Sequence, residues 1–158
     1  MRTITNVIVA GLGGQGVITA SDILAHAAFA SNFDVKKSDV HGMAQRGGPV
    51  ASEVRYGRQI YSPLIPDGAA DFLLVLDETQ LQNFRRRLRP GGVVISPVDL
   101  RDFGPEMKQN ANIALLALLF SKLDFAPATV EQALLERLKP RLHAHSIELF
   151  RRVTARAS

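Results

Sequence analysis

Residues 7–10 form an unbroken apolar run, rich in β-branched side chains, that ends at Gly11. A run of that length and composition, closed by glycine, predicts a short buried strand. A glycine-rich turn follows over 11–16. Val17, Ala20, Leu24, Ala27 and Ala28 then recur at helical spacing, which predicts a helix over 16–30. Residues 33–40 are a second strand candidate with weaker patterning. Residues 41–49 read as a glycine-containing loop. From Val50 the chain alternates: Val50, Ser52, Val54 and Tyr56 face one way, Ala51, Glu53 and Arg55 the other. With the strand-like run 59–61 this predicts an antiparallel hairpin with one wet face. Residues 72–76 are continuously apolar, as in a central strand covered on both faces. Residues 78–88 read as a helix with Leu81, Phe84 and Leu88 on one side, and residues 89–92 as a turn. Another buried strand is predicted over 93–96, then a loop over 97–105 and a helix over 107–122. Thr129 and Gln132 have capping-box spacing for a helix reaching Leu138. A last amphipathic helix spans 143–156. The alternation predicts an α/β domain of three layers, α/β/α, with a mostly parallel central sheet, a Rossmann-like first β-α unit and an antiparallel hairpin. No repeat or linker divides it, so residues 1–158 read as a single domain.

Composition narrows the function. At 46% hydrophobic and 22% charged the chain reads as globular. No apolar run reaches the roughly 20 residues of a membrane span, and no signal peptide is recognisable, so a cytoplasmic location is expected. There is no cysteine. These residues therefore hold no iron–sulfur cluster, offer no thiol nucleophile and form no disulfide. The four histidines, His26, His41, His143 and His145, show no metal-ligand spacing, so no metal is expected. The net charge of +4 suits an anionic ligand or an acidic partner. Nucleic acid is not expected, because aromatics are only 6% and no nucleic-acid-binding signature is present. The clusters at Arg85, Arg86, Arg87 and Arg89, and at Arg137, Arg141, Arg151, Arg152 and Arg156, read as solvated or subunit-facing helix surfaces.

Two stretches carry chemistry. Gly11, Gly13 and Gly16 satisfy G-x-G-x-x-G, after a strand and before a helix. That placement lets backbone N–H groups and the helix N-terminus approach an anion. The plainer reading is a tight turn and nothing more. The ribose-binding acid expected about 20 residues on is replaced by Lys36, with Lys37 beside it and Asp34 and Asp39 poorly placed. This disfavours NAD. Two lysines fit a ligand with an extra phosphate, such as coenzyme A or NADP, or are simply solvated strand-end charges. The second stretch, His41-Gly42-Met43-Ala44-Gln45-Arg46-Gly47-Gly48, sets an imidazole, an amide and a guanidinium among three glycines. Arg46 suits two-pronged recognition of an oxyanion. Turn-building glycines and structurally paired side chains are the alternative.

Taken together these motifs resemble the gamma domain of the 2-oxoacid:ferredoxin oxidoreductases. Gly11-Leu12-Gly13-Gly14-Gln15-Gly16-Val17 looks like that family's G-x-G-G-Q-G signature. The 41–48 stretch is most similar to the branch represented by the beta subunit of indolepyruvate oxidoreductase. Leu76-Asp77-Glu78, Leu88-Arg89-Pro90-Gly91-Gly92 and Ala111-Asn112-Ile113-Ala114-Leu115-Leu116 extend the resemblance over residues 7–138. It implies a single gamma-type domain serving as the non-cluster subunit of an arylpyruvate- or indolepyruvate-type enzyme acting on an oxo group. Such an enzyme oxidatively decarboxylates its substrate to an acyl-CoA. Thiamine diphosphate and iron–sulfur clusters are then expected on a catalytic partner, with ferredoxin engaged indirectly and no catalytic residue on this chain. Coenzyme A is the cofactor the resemblance allows here, at Gly11, Gly13, Gly14, Gln15, Gly16, Lys36 and Lys37. His41, Gly42, Met43, Gln45, Arg46, Gly47 and Gly48 become a subunit-interface or ligand loop. A homo-oligomer is compatible with this reading. Two departures bear on partner geometry: a shorter 96–111 region, and Ala144-His145-Ser146 where the branch often carries an asparagine. The alternative is a stand-alone nucleotide- or coenzyme-A-binding protein.

Overall fold

In the computed structural model, which describes residues 4–41 and 47–157 (residue 41 through its backbone only), five strands form one sheet. They are β1 (Ile4–Leu12), β2 (Asp34–His41), β3 (Pro49–Gly57), β4 (Ala70–Val75) and β5 (Leu88–Ile95), in the order β2-β3-β1-β4-β5. β1 is parallel to β4, and β4 to β5, while β3 runs antiparallel to both β1 and β2. All strands but β3 therefore share one direction, although the pairings divide evenly and the sheet is mixed. The helices are α1 (Val17–Ala30), α2 (Leu81–Phe84), α3 (Ala111–Ser121), α4 (Pro127–Arg137) and α5 (His143–Ala157).

β1 is apolar at successive positions because both its faces are covered. Val7 and Val9 join Val54, Tyr56 and Leu74 under α1 and α3, with α4 and α5 completing that layer. Ile8 and Ala10 join Leu73, Val75 and Ile65 on the other face. α3 is buried continuously from Ile113 to Phe120, wedged between the sheet, α1 and α5. The three layers are unequal. The second outer layer consists of α2, its flanking 3-10 turns and the loop 58–69.

Several expectations need correcting. The antiparallel hairpin joins β2 to β3, and residues 59–61 form no strand. Its Glu53 face is not wet: loop 58–69 lies over it and Glu53 is only 6% exposed. The Glu53 carboxylate accepts from Ile65 N at 2.7 Å and from Arg87 Nη2 at 3.1 Å, and Arg87 also reaches Ile65 O and Asp67. Arg55 donates to Ser62 O and Leu64 O from the same face. Residues 78–88 are not one helix but a 3-10 turn, α2 and a second 3-10 turn, after which β5 begins at Leu88. The 89–92 stretch lies inside β5, as an irregularity in its pairing with β4. Residues 97–103 and 105–110 are 3-10 turns, so α3 starts later than the pattern suggested. Thr129 does not cap α4, which opens on Pro127 with no side-chain cap. Among the described residues, no helix is long and apolar enough to cross a membrane.

Candidate functional site at the glycine turn

β1 and α1 meet at the glycine turn, at the end of the sheet where β3 begins. Leu12 pairs with Pro49 in the β1–β3 ladder, which brings the segment before β3 against the turn. Gly13 N donates to Gly48 O at 2.9 Å, and a Cβ on Gly13 would lie 3.2 Å from Gly47 N. The two glycine motifs, separate in sequence, are thus in backbone contact. Gly16 caps α1 with φ +91° and no side-chain hydrogen bond. Glycine alone adopts that left-handed geometry freely. A Cβ there would also overlap the side-chain amide of Asn112, which α3 presents to the turn.

Gln15 is a brace. Its Oε1 accepts from Leu12 N at 2.7 Å and its Nε2 donates to Asp77 Oδ2 at 2.7 Å. Asp77 in turn accepts from Thr79 through both hydroxyl and backbone N–H. Hydrogen bonds from the Thr79 hydroxyl, from Gln15 and from Thr79 N hold the Asp77 carboxyl below the usual carboxylate range. A group depressed in this way contributes stability above its unfolded pKa and loses it as pH falls. Gln15→Ala should cost roughly 1–2 kcal/mol, because both bonds disappear. Gln15→Glu keeps the acceptor for Leu12 but sets a carboxylate against Asp77. Its melting temperature should fall furthest below wild type near pH 7 and approach it near pH 4, as one carboxyl gains a proton. A gap that widens on acidification would contradict the brace.

A cavity of about 400 Å³ opens beside the turn, lined by Gly13, Gly14, Val17, Ile18, Thr19 and Val50 among others. Among the described residues no charged side chain lines it, and α1 has no acidic residue in its first turn. The first N–H groups of α1 have no partner within the helix. The surface can therefore receive a group through backbone donors and apolar contact.

The lysines lie elsewhere. Lys36 and Lys37 are adjacent in β2, so their side chains point to opposite faces. Lys37 pairs across the ladder with Val54, five residues from Pro49, about 16 Å along the strand from the turn. Its ammonium lies 2.5 Å from Asp39 and 3.1 Å from Asp22. The structure brings neither lysine to the glycine turn. The His41 side chain, Gly42, Met43, Gln45 and Arg46 lie outside the described residues. Sequence reasoning missed Asp77 and Asn112 as supports of the turn, although both fall in stretches that carried the resemblance.

The other histidines and several of the arginines have structural partners. His26 lies 2.5 Å from Glu136, His143 Nε2 is 2.8 Å from Leu138 O, and His145 meets Asn110. Arg151 pairs with Glu131, Arg152 with Glu106, and Arg156 lies over the Phe103 ring. Among the described residues no cluster of His, Asp or Glu could hold a metal ion.

This fold is that of oxoacid oxidoreductase gamma subunits. The gamma subunit of a keto/oxoacid ferredoxin oxidoreductase from Geobacter sulfurreducens superposes with a TM-score of 0.76 at 24% identity, covering 97% of this chain and 98% of that one. The 2-oxoglutarate:ferredoxin oxidoreductase from Magnetococcus marinus, solved with 2-oxoglutarate, coenzyme A and succinyl-CoA bound, matches with a TM-score of 0.83 at 19% identity, over 99% of this chain and 31% of that one. The model of the pyruvate ferredoxin/flavodoxin oxidoreductase family matches residues 6–155, and the chain belongs to that family. It is 36% identical over 91 residues to indolepyruvate oxidoreductase subunit IorB of Thermococcus kodakarensis, covering 58% of this chain and 45% of that protein. To the pyruvate/ketoisovalerate oxidoreductases common subunit gamma of the same organism it is 36% identical over 94 residues, 54% of this chain and 47% of that one. The chain thus spans under half the length of these curated relatives.

Proposed function

We propose that this chain is the gamma-type, non-cluster subunit of a 2-oxoacid:ferredoxin oxidoreductase of the indolepyruvate or arylpyruvate type. It supports thiamine-dependent oxidative decarboxylation carried out on a partner chain. The observation that carries this reading is the junction of the two glycine motifs through Gly13 and Gly48, in a chain matched by the family model over residues 6–155. The 158 residues contain no cysteine, so iron–sulfur clusters fall to the partner.

Coenzyme A fits the turn in one respect and not in another. Backbone donors and the apolar lining among the described residues suit contact with a neutral portion of the molecule, at Gly13, Gly14 and the first turn of α1. Lys36 and Lys37 lie along β2 away from the turn, and Lys37 is held by Asp22 and Asp39. This chain's own part is to hold the turn rigid through Gln15, Asp77 and Asn112 and to present it with the β2–β3 hairpin. The complete assembly binds coenzyme A as acyl acceptor on this reading, and ferredoxin takes the electrons from the partner.

Reconstitution tests the proposal. The isolated chain should show no 2-oxoacid-dependent ferredoxin reduction. Mixing it with a thiamine-diphosphate and iron–sulfur partner subunit, expressed from a neighbouring reading frame, should give a co-eluting complex with that activity. Turnover by the chain alone, or tight calorimetric binding of NAD to it, would favour a stand-alone nucleotide-binding protein and sink the subunit reading.

A further inference from the structure

A second cavity, of about 460 Å³, lies at the opposite end of the sheet from the glycine turn. It reaches Thr5 at the start of β1, seven residues from Leu12, or about 23 Å along the strand. From its lining we infer a second ligand site, for a small aromatic molecule carrying an oxyanion. The inference rests on this cavity alone and is independent of the subunit reading.

The walls are aromatic. Phe33, Tyr56 and Phe125 pack on one another, with ring centroids 5.2 Å apart for Phe33 and Tyr56, 6.2 Å for Phe33 and Phe125, and 5.5 Å for Tyr56 and Phe125. Phe72 contributes from β4. Phe33 nevertheless remains 37% exposed, leaving ring surface on which a planar group can stack. Burial pushes the Tyr56 hydroxyl up to about 12, and it is hydrogen-bonded with Thr5, so it stays neutral and fixed. No anion forms on that wall at neutral pH.

The cations are Arg89 and Lys122. Arg89 Nε donates to Asp71 Oδ1 at 2.7 Å and Nη1 donates to Pro90 O at 2.9 Å. Asp71 is buried and also accepts from Asn6 N, so it anchors the guanidinium. Lys122, exposed at the C-terminal end of α3, has no ion pair among the described residues. Asp124, exposed at the rim, is the other carboxylate in the lining. An oriented guanidinium beside an ammonium is suited to an oxyanion. A neutral apolar ligand would leave Lys122 unanswered, and a purely polar one would leave the aromatic wall unused. The volume is in the range of small-molecule sites, which bury apolar surface around a few oriented polar groups.

Titration of the full chain followed by amide NMR tests the site, with 3-phenylpropionate and phenyl phosphate as probes for carboxylate and phosphate head groups. Saturable shifts of the Gly57, Leu123 and Phe125 amides are expected with at least one probe, and the tighter probe identifies the head group. Benzyl alcohol, which keeps the ring without the charge, should bind about tenfold more weakly. Lys122→Ala, an exposed substitution that leaves the fold intact, should weaken the anionic probe about tenfold and leave benzyl alcohol unchanged. Phe33→Ala should weaken both. No saturation with either anion, equal affinity for benzyl alcohol, or shifts confined to residues 12–19 would each overturn the inference.

Discussion

Arg87→Ala should lower the unfolding free energy by about 3–5 kcal/mol, the scale seen when one partner of a buried ion pair is removed. The reason is Glu53. Its side chain is 8% exposed, and Arg87 is the cation facing it. Without Arg87, the carboxylate keeps only the Ile65 N–H that already donates to it at 2.7 Å. Arg87 also donates to Ile65 O and lies 2.8 Å from Asp67, so the same substitution unfastens loop 58–69 from the sheet. Ile65, the loop residue buried against the sheet, would lose its seat. Urea denaturation measures the loss. The double variant Arg87→Met with Glu53→Gln removes both charges, while the glutamine still accepts from Ile65. It should recover most of the stability, because a buried pair replaced as a unit costs little. A loss under about 1 kcal/mol for Arg87→Ala would place this pair among surface ion pairs and refute the buried-clasp reading.

Gly16→Ala should cost roughly 2–5 kcal/mol, from two sources. An L-residue in the left-handed region costs roughly 1–2 kcal/mol, and crowding in a packed site adds about 1–3 kcal/mol. The crowding is specific: the new methyl meets the Asn112 amide. Asn112→Gly in the Gly16→Ala background should therefore relieve the second part and leave the first. Thermal denaturation of the two single variants and the double variant forms a cycle whose coupling should be favourable by about 1 kcal/mol or more. Strict additivity would mean that α3 does not press on the turn. Because the turn's shape sets the cavity beside it, the same substitution should, on the proposed subunit reading, also weaken assembly with a catalytic partner.

The β1–turn–α1 unit was legible because its signals are local. An apolar run, a glycine at a forced backbone angle and a helical repeat all lie within residues 4–30. What failed was non-local. The pairing of β3 with β1 and β2 leaves no trace at residues 59–61, which merely continue an apolar rhythm. The wet face assigned to Glu53 and Arg55 followed from their charge, yet loop 58–69 folds back over them. Residues 78–88 satisfied a helical period, but Arg87 turns inward to Glu53 and Leu88 enters β5, so the helix breaks. Pro90 and Gly91 look like a turn in any sequence. Only the pairing of β4 with β5 shows them as an irregularity inside a strand.

The site was legible in part for the same reason. Gly13, Gly14 and Gly16 sit where the motif put them, and Gly47 and Gly48 are brought to Gly13. Gln15 enters the cofactor set only through the family resemblance of its motif. Its two bonds to Leu12 and Asp77 show a side chain turned inward. Lys36 and Lys37 carried a warning in the sequence itself: neighbours on one strand cannot share a face. Asp77 and Asn112 carried no chemical signal of their own, since their roles exist only once β4 and α3 have packed.

β3, the one strand opposed to the rest, also sets the order in which the molecule can be assembled. β2 and β3 are neighbours in the chain and pair at short separation, so they can close early as a local hairpin. β1, made first, can take its central place only when that hairpin arrives on one side and β4 on the other. The glycine turn acquires its last backbone bond in the same event, since Gly48 belongs to the arriving segment. The turn is thus complete only where the β2–β3 hairpin has docked on β1.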